Sequence, residues 1–225
     1  MARSNNGEGR KNQQIRAVIL DYGQVLSLRP QAEEIRRMAE VFQIDPIHFP
    51  ERYAASRGPY DQGLMTADEY WLGFAQAAGV AINERDIHTL RRWDIEMSSR
   101  IDPTMTMWLA ALHDAGLITA LLSNMEEDMA TYARQNFSWL AYLDHQIFSS
   151  DVRLIKPDPA IFHECIRRLG VSPQQTLFVD DLHENVQVAQ AIGITTIQFE
   201  SVKQLSADFQ RLRFDVLPRE VTGNL

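Results

Sequence analysis

Acidic and hydroxyl side chains stand at the ends of three short apolar runs in this sequence. Residues 17–20 lead to Asp21, residues 117–122 to Ser123, and residues 176–179 to Asp180 and Asp181. Short continuous runs of this kind are typical of strands that are buried on both faces of a parallel sheet. Because the carboxyl ends of parallel strands share one edge, where open α/β sheets bind ligands, we expect these side chains to lie together.

The residue types at this predicted edge suit phosphate chemistry. Carboxylates can hold Mg²⁺, which binds proteins through one or two of them together with substrate phosphate. Lys156, in a loop near the third run, adds a positive charge, and the Ser123 hydroxyl adds a hydrogen-bond donor for phosphoryl oxygens. A carboxylate that faces phosphorus can attack it and form an aspartyl phosphate. The set therefore suits phosphoryl transfer to a carboxylate.

Helical patterns alternate with the apolar runs and predict the fold. Helices are expected at 103–115, 158–169 and 184–192, with proline in the first turn of two of them and glycine after each of the three. Further strands are expected at 194–199 and, as a short fifth strand, at 146–148. Alternating strands and helices favour right-handed βαβ units. The prediction is an α/β fold with a doubly wound parallel sheet.

The spacing of the strand ends predicts a helical insertion. A βαβ unit takes about 30 residues, whereas about 100 separate Asp21 from Ser123. The surplus has helical periodicity and no convincing strand, with helices expected at 30–42, 45–56, 66–78 and 84–97. The expected organisation is a disordered tail (1–14), an α/β core (15–28 and 100–225) and a helical cap domain (29–99).

Composition excludes several classes of protein. Among 225 residues, 22 Lys and Arg face 30 Asp and Glu, a net charge of −8 that repels nucleic-acid phosphates. No apolar run reaches membrane-spanning length, so no membrane partner is expected. The lone Cys165 cannot form an internal disulfide, which favours a reducing compartment and hence the cytoplasm.

Four segments together resemble the haloacid dehalogenase superfamily, in its branch with a helical cap. They are Val-Ile-Leu-Asp-Tyr-Gly (18–23), Leu-Leu-Ser-Asn (121–124), Lys-Pro-Asp-Pro (156–159) and Phe-Val-Asp-Asp (178–181). The resemblance spans residues 16–209. It implies a Mg²⁺-dependent phosphatase of small phosphorylated metabolites, which works through an aspartyl phosphate.

The resemblance also implies roles for single residues in catalysis and substrate binding. Asp21 matches the nucleophile and Ser123 matches the hydroxyl that binds phosphoryl oxygens. Lys156 matches the lysine that balances phosphate and carboxylate charge. Asn124 is expected to donate to the phosphate through its side chain or its backbone. Asp180 is expected to act through water or by pairing with Lys156.

The implied metal is Mg²⁺, held by Asp21, the backbone carbonyl of Gly23 and Asp181. Adjacent carboxylates repel each other, which is costly unless a cation lies nearby, so the Asp180–Asp181 pair agrees with a metal site. Asn185 is expected either to hydrogen-bond a metal-bound water or to cap the start of a helix.

Gly23 departs from the family pattern, which usually has a second Asp there. That carboxyl protonates the leaving oxygen and later activates water, help worth roughly 10²–10⁴-fold. Three explanations stay open. The substrate could have a good leaving group, as in a sugar 1-phosphate. Another donor, such as His183 or a cap residue, could replace the acid. The chain could also have lost turnover and only bind a phosphorylated ligand or partner.

A 2-haloacid dehalogenase is the other enzymatic alternative. It shares the Asp nucleophile and needs no metal, but its first motif is typically Asp-x-Tyr-Gly and it lacks paired acids. The Asp180–Asp181 pair therefore favours the phosphatase. In the cap, Arg29, Arg52 and Arg57 could reach a second anionic group of the substrate, although we expect them to be solvated.

Overall fold

The computed structural model describes residues 14–212, so most of the predicted tail lies outside the described residues. The strands are β1 (Ala17–Leu20), β2 (Ile118–Ser123), β3 (His145–Phe148), β4 (Thr176–Asp180) and β5 (Thr195–Gln198). They form one parallel sheet in the order β3-β2-β1-β4-β5. The predicted α/β fold is therefore confirmed, including the short strand at 146–148.

Helices occupy both the insertion and the core. They are α1 (Ala32–Val41), α2 (Phe49–Ser56), α3 (Gly58–Asp61), α4 (Ala67–Ala78), α5 (Glu84–Ser98), α6 (Pro103–Asp114), α7 (Glu127–Asn136), α8 (Ser149–Val152), α9 (Pro159–Leu169), α10 (His183–Ala191) and α11 (Val202–Arg211). The sequence patterns did not predict α3, α7, α8 or α11. None of the helices within residues 14–212 combines the length and the apolar character that crossing a membrane requires.

Burial on both faces explains the continuous apolar runs. In β1, Val18 and Leu20 belong to an apolar cluster that includes Trp108 of α6. The alternate residues Ala17 and Ile19 belong to a second cluster, on the other face of the sheet. Because neither face meets water, the strand sequence shows no polar alternation.

The helices α1–α5 bury an apolar cluster of their own. Phe42, Phe49 and Trp71 are almost completely buried in it, and Phe74 packs edge-on against Phe42. Helix α4 begins with the expected capping box, in which Thr66 and Glu69 satisfy each other's backbone N–H groups. A separate core agrees with an independent helical unit at 29–99, whose boundaries as a domain stay a prediction.

Strand register places the predicted functional residues at one level of the sheet. Leu20 of β1 is aligned with Leu121 of β2 and with Val179 of β4. The backbone N–H of Asp21 then donates to the Val179 carbonyl at 2.9 Å. Asp21 and Asp180 therefore leave neighbouring strands side by side.

Candidate active site

Lys156 joins two of the predicted strand-end carboxylates. Its Nζ lies 2.6 Å from Asp21 Oδ1 and 2.7 Å from Asp180 Oδ2. The residue is only 4% exposed. Burial by itself would lower the pKa of Lys156, but the two carboxylates outweigh it and raise that pKa above its ordinary value. The lysine is therefore a buried, permanently charged ammonium group between Asp21 and Asp180.

Asp180 is fully occupied by protein hydrogen bonds. Besides Lys156, its two oxygens both accept from Asn185 Nδ2 at 3.0 Å, and Oδ1 accepts from the Leu182 N–H at 2.8 Å. These contacts explain how a completely buried carboxylate is tolerated. Asp180 thus pairs with Lys156, which is one of the two roles expected for it, and holds the lysine in place. Asn185 donates hydrogen bonds to Asp180 directly.

Asp21 and Asp181 have carboxylates that are less fully satisfied. With Asp180 they each place one carboxylate oxygen within 4.8 Å of the others. Burial raises the pKa of Asp21 to about 7, opposed by Lys156. Burial also raises the pKa of half-buried Asp181 to about 6, and neighbouring Asp180 adds to that rise. Lys156 therefore bridges Asp21 and Asp180, while Asp181 lies close to both carboxylates without an ion pair of its own among residues 14–212.

The donor set at this cluster fits a hard cation. Lys156 Nζ donates a hydrogen bond to Asp21 Oδ1. Among residues 14–212, no hydrogen bond at this site is made to the other oxygen, Asp21 Oδ2. A Cβ placed at Gly23 would lie 3.9 Å from that same Oδ2, so the backbone at Gly23 passes close to it. Carboxylate and carbonyl oxygens are ligands that Mg²⁺ accepts. Asp21, Gly23 and Asp181 are therefore the residues that could hold the ion, as the resemblance implied.

Ser123 and Asn124 lie beside this cluster. Ser123 is 2% exposed and its Oγ has one weak contact, to the Asn124 carbonyl at 3.4 Å. The Asn124 side chain is already used: its Nδ2 donates to the Lys156 carbonyl at 2.9 Å and its Oδ1 accepts from the Lys156 N–H at 2.8 Å. Asn124 therefore positions the lysine loop, and of the two expected routes to a phosphate only its backbone N–H is left.

A cavity of about 550 Å³ lies over the carboxylates. Asp21, Ser123, Lys156 and Asp181 line one part of it. Side chains of α2 and α3 and of the residue between them line another part, namely Tyr53, Arg57 and Asp61. The inserted helices therefore cover the sheet edge and enclose a space of the size of a small metabolite.

The expectation of a solvated Arg57 is wrong. Its guanidinium is buried and pairs with Asp61 at 2.8 Å and with Asp94 at 2.6 Å. It also lies over the rings of Tyr53 and Tyr60, 4.9 and 4.7 Å from their centroids. Asp61, Tyr53 and Tyr60 lie within four residues of Arg57, whereas Asp94 is 37 residues away and no local pattern signals it. Arg57 is already neutralised by protein carboxylates.

His183 is not placed to act at the cavity. Its side chain is exposed, and Nδ1 lies 3.2 Å from Gln198 Oε1 at the end of β5. The cavity is lined instead by its neighbours Leu182, Glu184 and Asn185. The histidine considered as a replacement proton donor therefore points to a different part of the surface.

Two curated enzymes are 30% identical to this chain over the segments that align. The (S)-2-haloacid dehalogenase 1 of Pseudomonas sp. (strain CBS-3) is 30% identical over 109 residues, which are 48% of this chain and 47% of the relative. Phosphoglycolate phosphatase of Salmonella paratyphi A is 30% identical over 95 residues, 42% of this chain and 38% of the relative. The chain thus spans less than half the length of these relatives.

A solved structure shares the fold over nearly its whole length. The HAD family enzyme bt-2542 of Bacteroides thetaiotaomicron superposes with a TM-score of 0.73 at 22% identity, covering 87% of this chain and 98% of that one. That enzyme has also been crystallised with magnesium and inorganic phosphate. The haloacid dehalogenase-like hydrolase family matches residues 6–193. The lysine-bridged carboxylates thus lie in a chain that belongs to the haloacid dehalogenase-like hydrolases.

Proposed function

We propose that this protein is a Mg²⁺-dependent phosphatase of a small phosphorylated metabolite, with Asp21 as nucleophile. The observation that carries the proposal is the cluster of Asp21, Asp180 and Asp181, three carboxylates within 4.8 Å of which two, Asp21 and Asp180, share Lys156. The excess negative charge calls for a second cation. The unpaired carboxylate oxygens of Asp21 and Asp181 can bind Mg²⁺ together with a dianionic phosphate, whereas a monoanionic haloacid brings no cation to them.

The chain's own residues divide the work of phosphoryl transfer. Asp21 attacks phosphorus and forms the aspartyl phosphate, and water then releases phosphate from it. Ser123 Oγ, the backbone N–H of Asn124 and Lys156 Nζ stabilise the phosphoryl oxygens as charge develops. Asp21, the Gly23 carbonyl and Asp181 would hold Mg²⁺, which would supply positive charge to offset the negative charge of the phosphoryl group. The inserted helices act as a cap that excludes bulk water.

We further propose that the substrate has a good leaving group, such as that of a sugar 1-phosphate. Gly23 provides no carboxyl at the position where the family usually has its acid. The 550 Å³ cavity accommodates a molecule the size of a monosaccharide. Arg57 lies in the part of the cavity lined by α2 and α3, and it is neutralised by Asp61 and Asp94. This part of the cavity therefore does not offer a free cation to a second anionic group of the substrate. The predicted location, the cytoplasm, agrees with such a metabolite.

The test of the proposed function is a substrate panel. Sugar 1-phosphates, sugar 6-phosphates, an acyl phosphate, p-nitrophenyl phosphate and 2-chloropropionate are compared with and without Mg²⁺. Phosphate release that requires Mg²⁺ supports the proposal. Chloride release without Mg²⁺ would establish the dehalogenase alternative, which the Pseudomonas relative favours. Tight binding of phosphate esters without any turnover would establish a binding protein.

Asp181→Asn is expected to weaken Mg²⁺ binding more than tenfold, because it removes a carboxylate while Asp180 stays committed to Lys156. Mg²⁺ raises the Tm of the wild type by stabilising the folded state, and the variant needs correspondingly more Mg²⁺ for the same shift. Glu184→Gln, which removes an exposed acid of the same cavity, is the control. Equal Mg²⁺ responses of the two variants would rule out ligation by Asp181.

Gly23→Asp is expected to make kcat less dependent on the leaving group. A Cβ at this position meets only Asp21 Oδ2 within 4 Å, at 3.9 Å, so the backbone here has room for a Cβ. The added carboxyl can protonate a poor leaving group, and kcat on an alkyl phosphate should rise about tenfold or more while that on p-nitrophenyl phosphate changes little. Gly23→Asn adds the same bulk without the acid. A similar gain from both substitutions would contradict the leaving-group explanation.

A further inference from the structure

The cavity over Asp21 is also lined by Glu126, an acid that the sequence motifs do not single out. It lies three residues after Ser123, at the start of α7, where its Oε1 accepts from the Met129 N–H at 3.2 Å. Its side chain is only 3% exposed. Asp, Asn, Ser and Thr are the residues preferred at a helix N-cap. A buried glutamate in a cavity wall therefore calls for an explanation beyond capping.

Three other proton-bearing side chains that line the cavity have fixed partners. The Tyr22 hydroxyl donates to the Ser98 carbonyl at 2.6 Å, and the Tyr53 hydroxyl donates to Asp94. Lys156 is held between two aspartates. None of these three groups is free to release a proton to a substrate. Glu126 is the buried acid that has no comparably short ion pair.

The charge balance around Arg57 assigns a proton to Glu126. The guanidinium lies 2.8 Å from Asp61, 2.6 Å from Asp94 and 3.5 Å from Glu126. One positive charge cannot balance three buried carboxylates, so one of them is expected to be protonated. Glu126, with the longest distance, gains least from ionisation. In agreement, burial raises the pKa of Glu126 to about 8, opposed by Arg57 and reinforced by Asp94 and Asp61.

The Glu126 carboxyl is faced by the loop after β1, by α3 and the residue before it, by α5 and by α7 itself. The charged and titratable groups that these elements bring to it are Tyr22, Arg57, Tyr60, Asp61, Asp94 and Asp128. Arg57 supplies the positive charge in this set, and the neighbouring carboxylates favour the neutral acid. The surroundings of Glu126 therefore keep it protonated near neutral pH.

We propose that Glu126 donates the proton to the leaving-group oxygen, in place of the acid that Gly23 lacks. This inference rests on the proposed phosphatase function and is an alternative to the leaving-group explanation of Gly23, since an enzyme with its own proton donor does not need a good leaving group. As Asp21 bonds to phosphorus and the bond from phosphorus to the leaving oxygen breaks, the Glu126 proton moves to that oxygen, which departs as an alcohol. Water then attacks the phosphorus of the aspartyl phosphate, the bond from phosphorus to the Asp21 oxygen breaks, and one proton of the water moves to the Glu126 carboxylate. Inorganic phosphate is released, and the Asp21 carboxylate and the neutral Glu126 acid are regenerated.

The decisive variant is Glu126→Gln, because glutamine keeps the size of the side chain and its hydrogen bond to the Met129 N–H. For an alkyl phosphate, kcat should fall about 100-fold, whereas p-nitrophenyl phosphate, whose leaving group needs little protonation, should be affected far less. In the wild type, kcat for the alkyl phosphate should fall as pH rises through about 8, since the acid form donates. That decline should be absent from the variant.

Two further variants separate chemistry from folding. Glu126→Asp keeps an acid on a shorter side chain and should retain part of the turnover of the alkyl phosphate. Glu127→Gln makes the same change at the exposed neighbouring position and should leave both substrates unaffected. Tm values establish that each variant is folded. Equal losses on both substrates in Glu126→Gln would mean a structural role and would overturn the inference.

Protonation of Glu126 can be measured without turnover. The infrared spectrum of the wild type at pH 6 should show a protonated carboxyl band that is missing from Glu126→Gln and present in Glu127→Gln. An ionised Glu126 at pH 6 would overturn the inference while leaving the phosphatase itself untouched. Failure of the wild type to hydrolyse any phosphate ester would overturn the proposed function, and the donor role with it.

Discussion

Asp21→Asn should lower the rate of p-nitrophenyl phosphate hydrolysis by about 10⁴-fold or more, which is the largest effect expected for this protein. An amide in this position cannot form the acyl phosphate through which the reaction proceeds. Asparagine keeps the shape of aspartate and can still accept a hydrogen bond from Lys156 Nζ. It also removes one of three crowded carboxylates. The variant should therefore remain folded, with a Tm close to that of the wild type.

The matched control for this substitution is Asp158→Asn. Asp158 caps α9, where its Oδ1 accepts from the Ala160 N–H at 2.8 Å, and asparagine is an equally good cap. The same chemical change is thus made outside the cavity and should leave kcat unchanged. Steady-state rates and the burst of bound phosphate in single-turnover experiments are the measurements. Appreciable turnover in the folded Asp21→Asn protein would rule out Asp21 as the nucleophile.

Lys156→Met should destabilise the folded protein by about 3–5 kcal/mol and abolish turnover. The ammonium group is buried and lies within 2.7 Å of oxygens of both Asp21 and Asp180. Methionine has a similar length but no charge, so it leaves two buried carboxylates without their cation. Removing one partner of a buried ion pair costs far more than a surface pair is worth. Urea unfolding in the presence of a chelator measures the loss.

Lys203→Met is the control for this second prediction. Lys203 is exposed on α11, and its replacement should change the free energy of unfolding by no more than about 0.5 kcal/mol. A comparably small change in Lys156→Met would mean that the buried lysine does not balance the carboxylates.

The stability of Lys156→Met should depend on pH in a definite direction. Burial raises the pKa of Asp21 to about 7 even while Lys156 opposes it, so loss of the lysine raises that pKa further. A carboxyl with a raised folded-state pKa stabilises the protein below its unfolded-state pKa, which is about 4, and loses that contribution as pH rises through the folded value. The difference in the free energy of unfolding between the wild type and Lys156→Met should therefore become smaller as the pH is lowered from 8 to 5. If Lys156→Met lost more stability relative to the wild type at pH 5 than at pH 8, Asp21 would not be the carboxyl that the lysine neutralises.

The sheet edge could be predicted because its signals are local. A short apolar run that ends in a polar residue identifies a buried strand and the residue at its end, as with Asp21, Ser123 and Asp180. Parallel topology then requires these ends to meet. The register found between β1 and β4 adds the detail that Asp21 and Asp180 are neighbours. Lys156, in a loop, was noted as a nearby positive charge, and its specific role came from the resemblance to a family motif.

What covers the edge was decided by tertiary packing. Arg57 seemed a solvated cap residue, yet it is buried against Asp94, 37 residues away in the chain, and against Glu126 of the core. No periodicity relates these positions, because their approach depends on how the inserted helices pack over the sheet. The use of the Asn124 side chain by the Lys156 loop is equally invisible to a local pattern.

The amino-acid sequence alone therefore determined the α/β fold, the helical insertion and the strand-end residues that make this chain a candidate phosphatase. Only the tertiary structure decided which carboxylates are neutralised, which stay available, and which acid faces the cavity. The physical reason is that burial along a strand is encoded by neighbouring residues. The charge state of a buried group depends instead on partners that distant segments bring within a few ångströms.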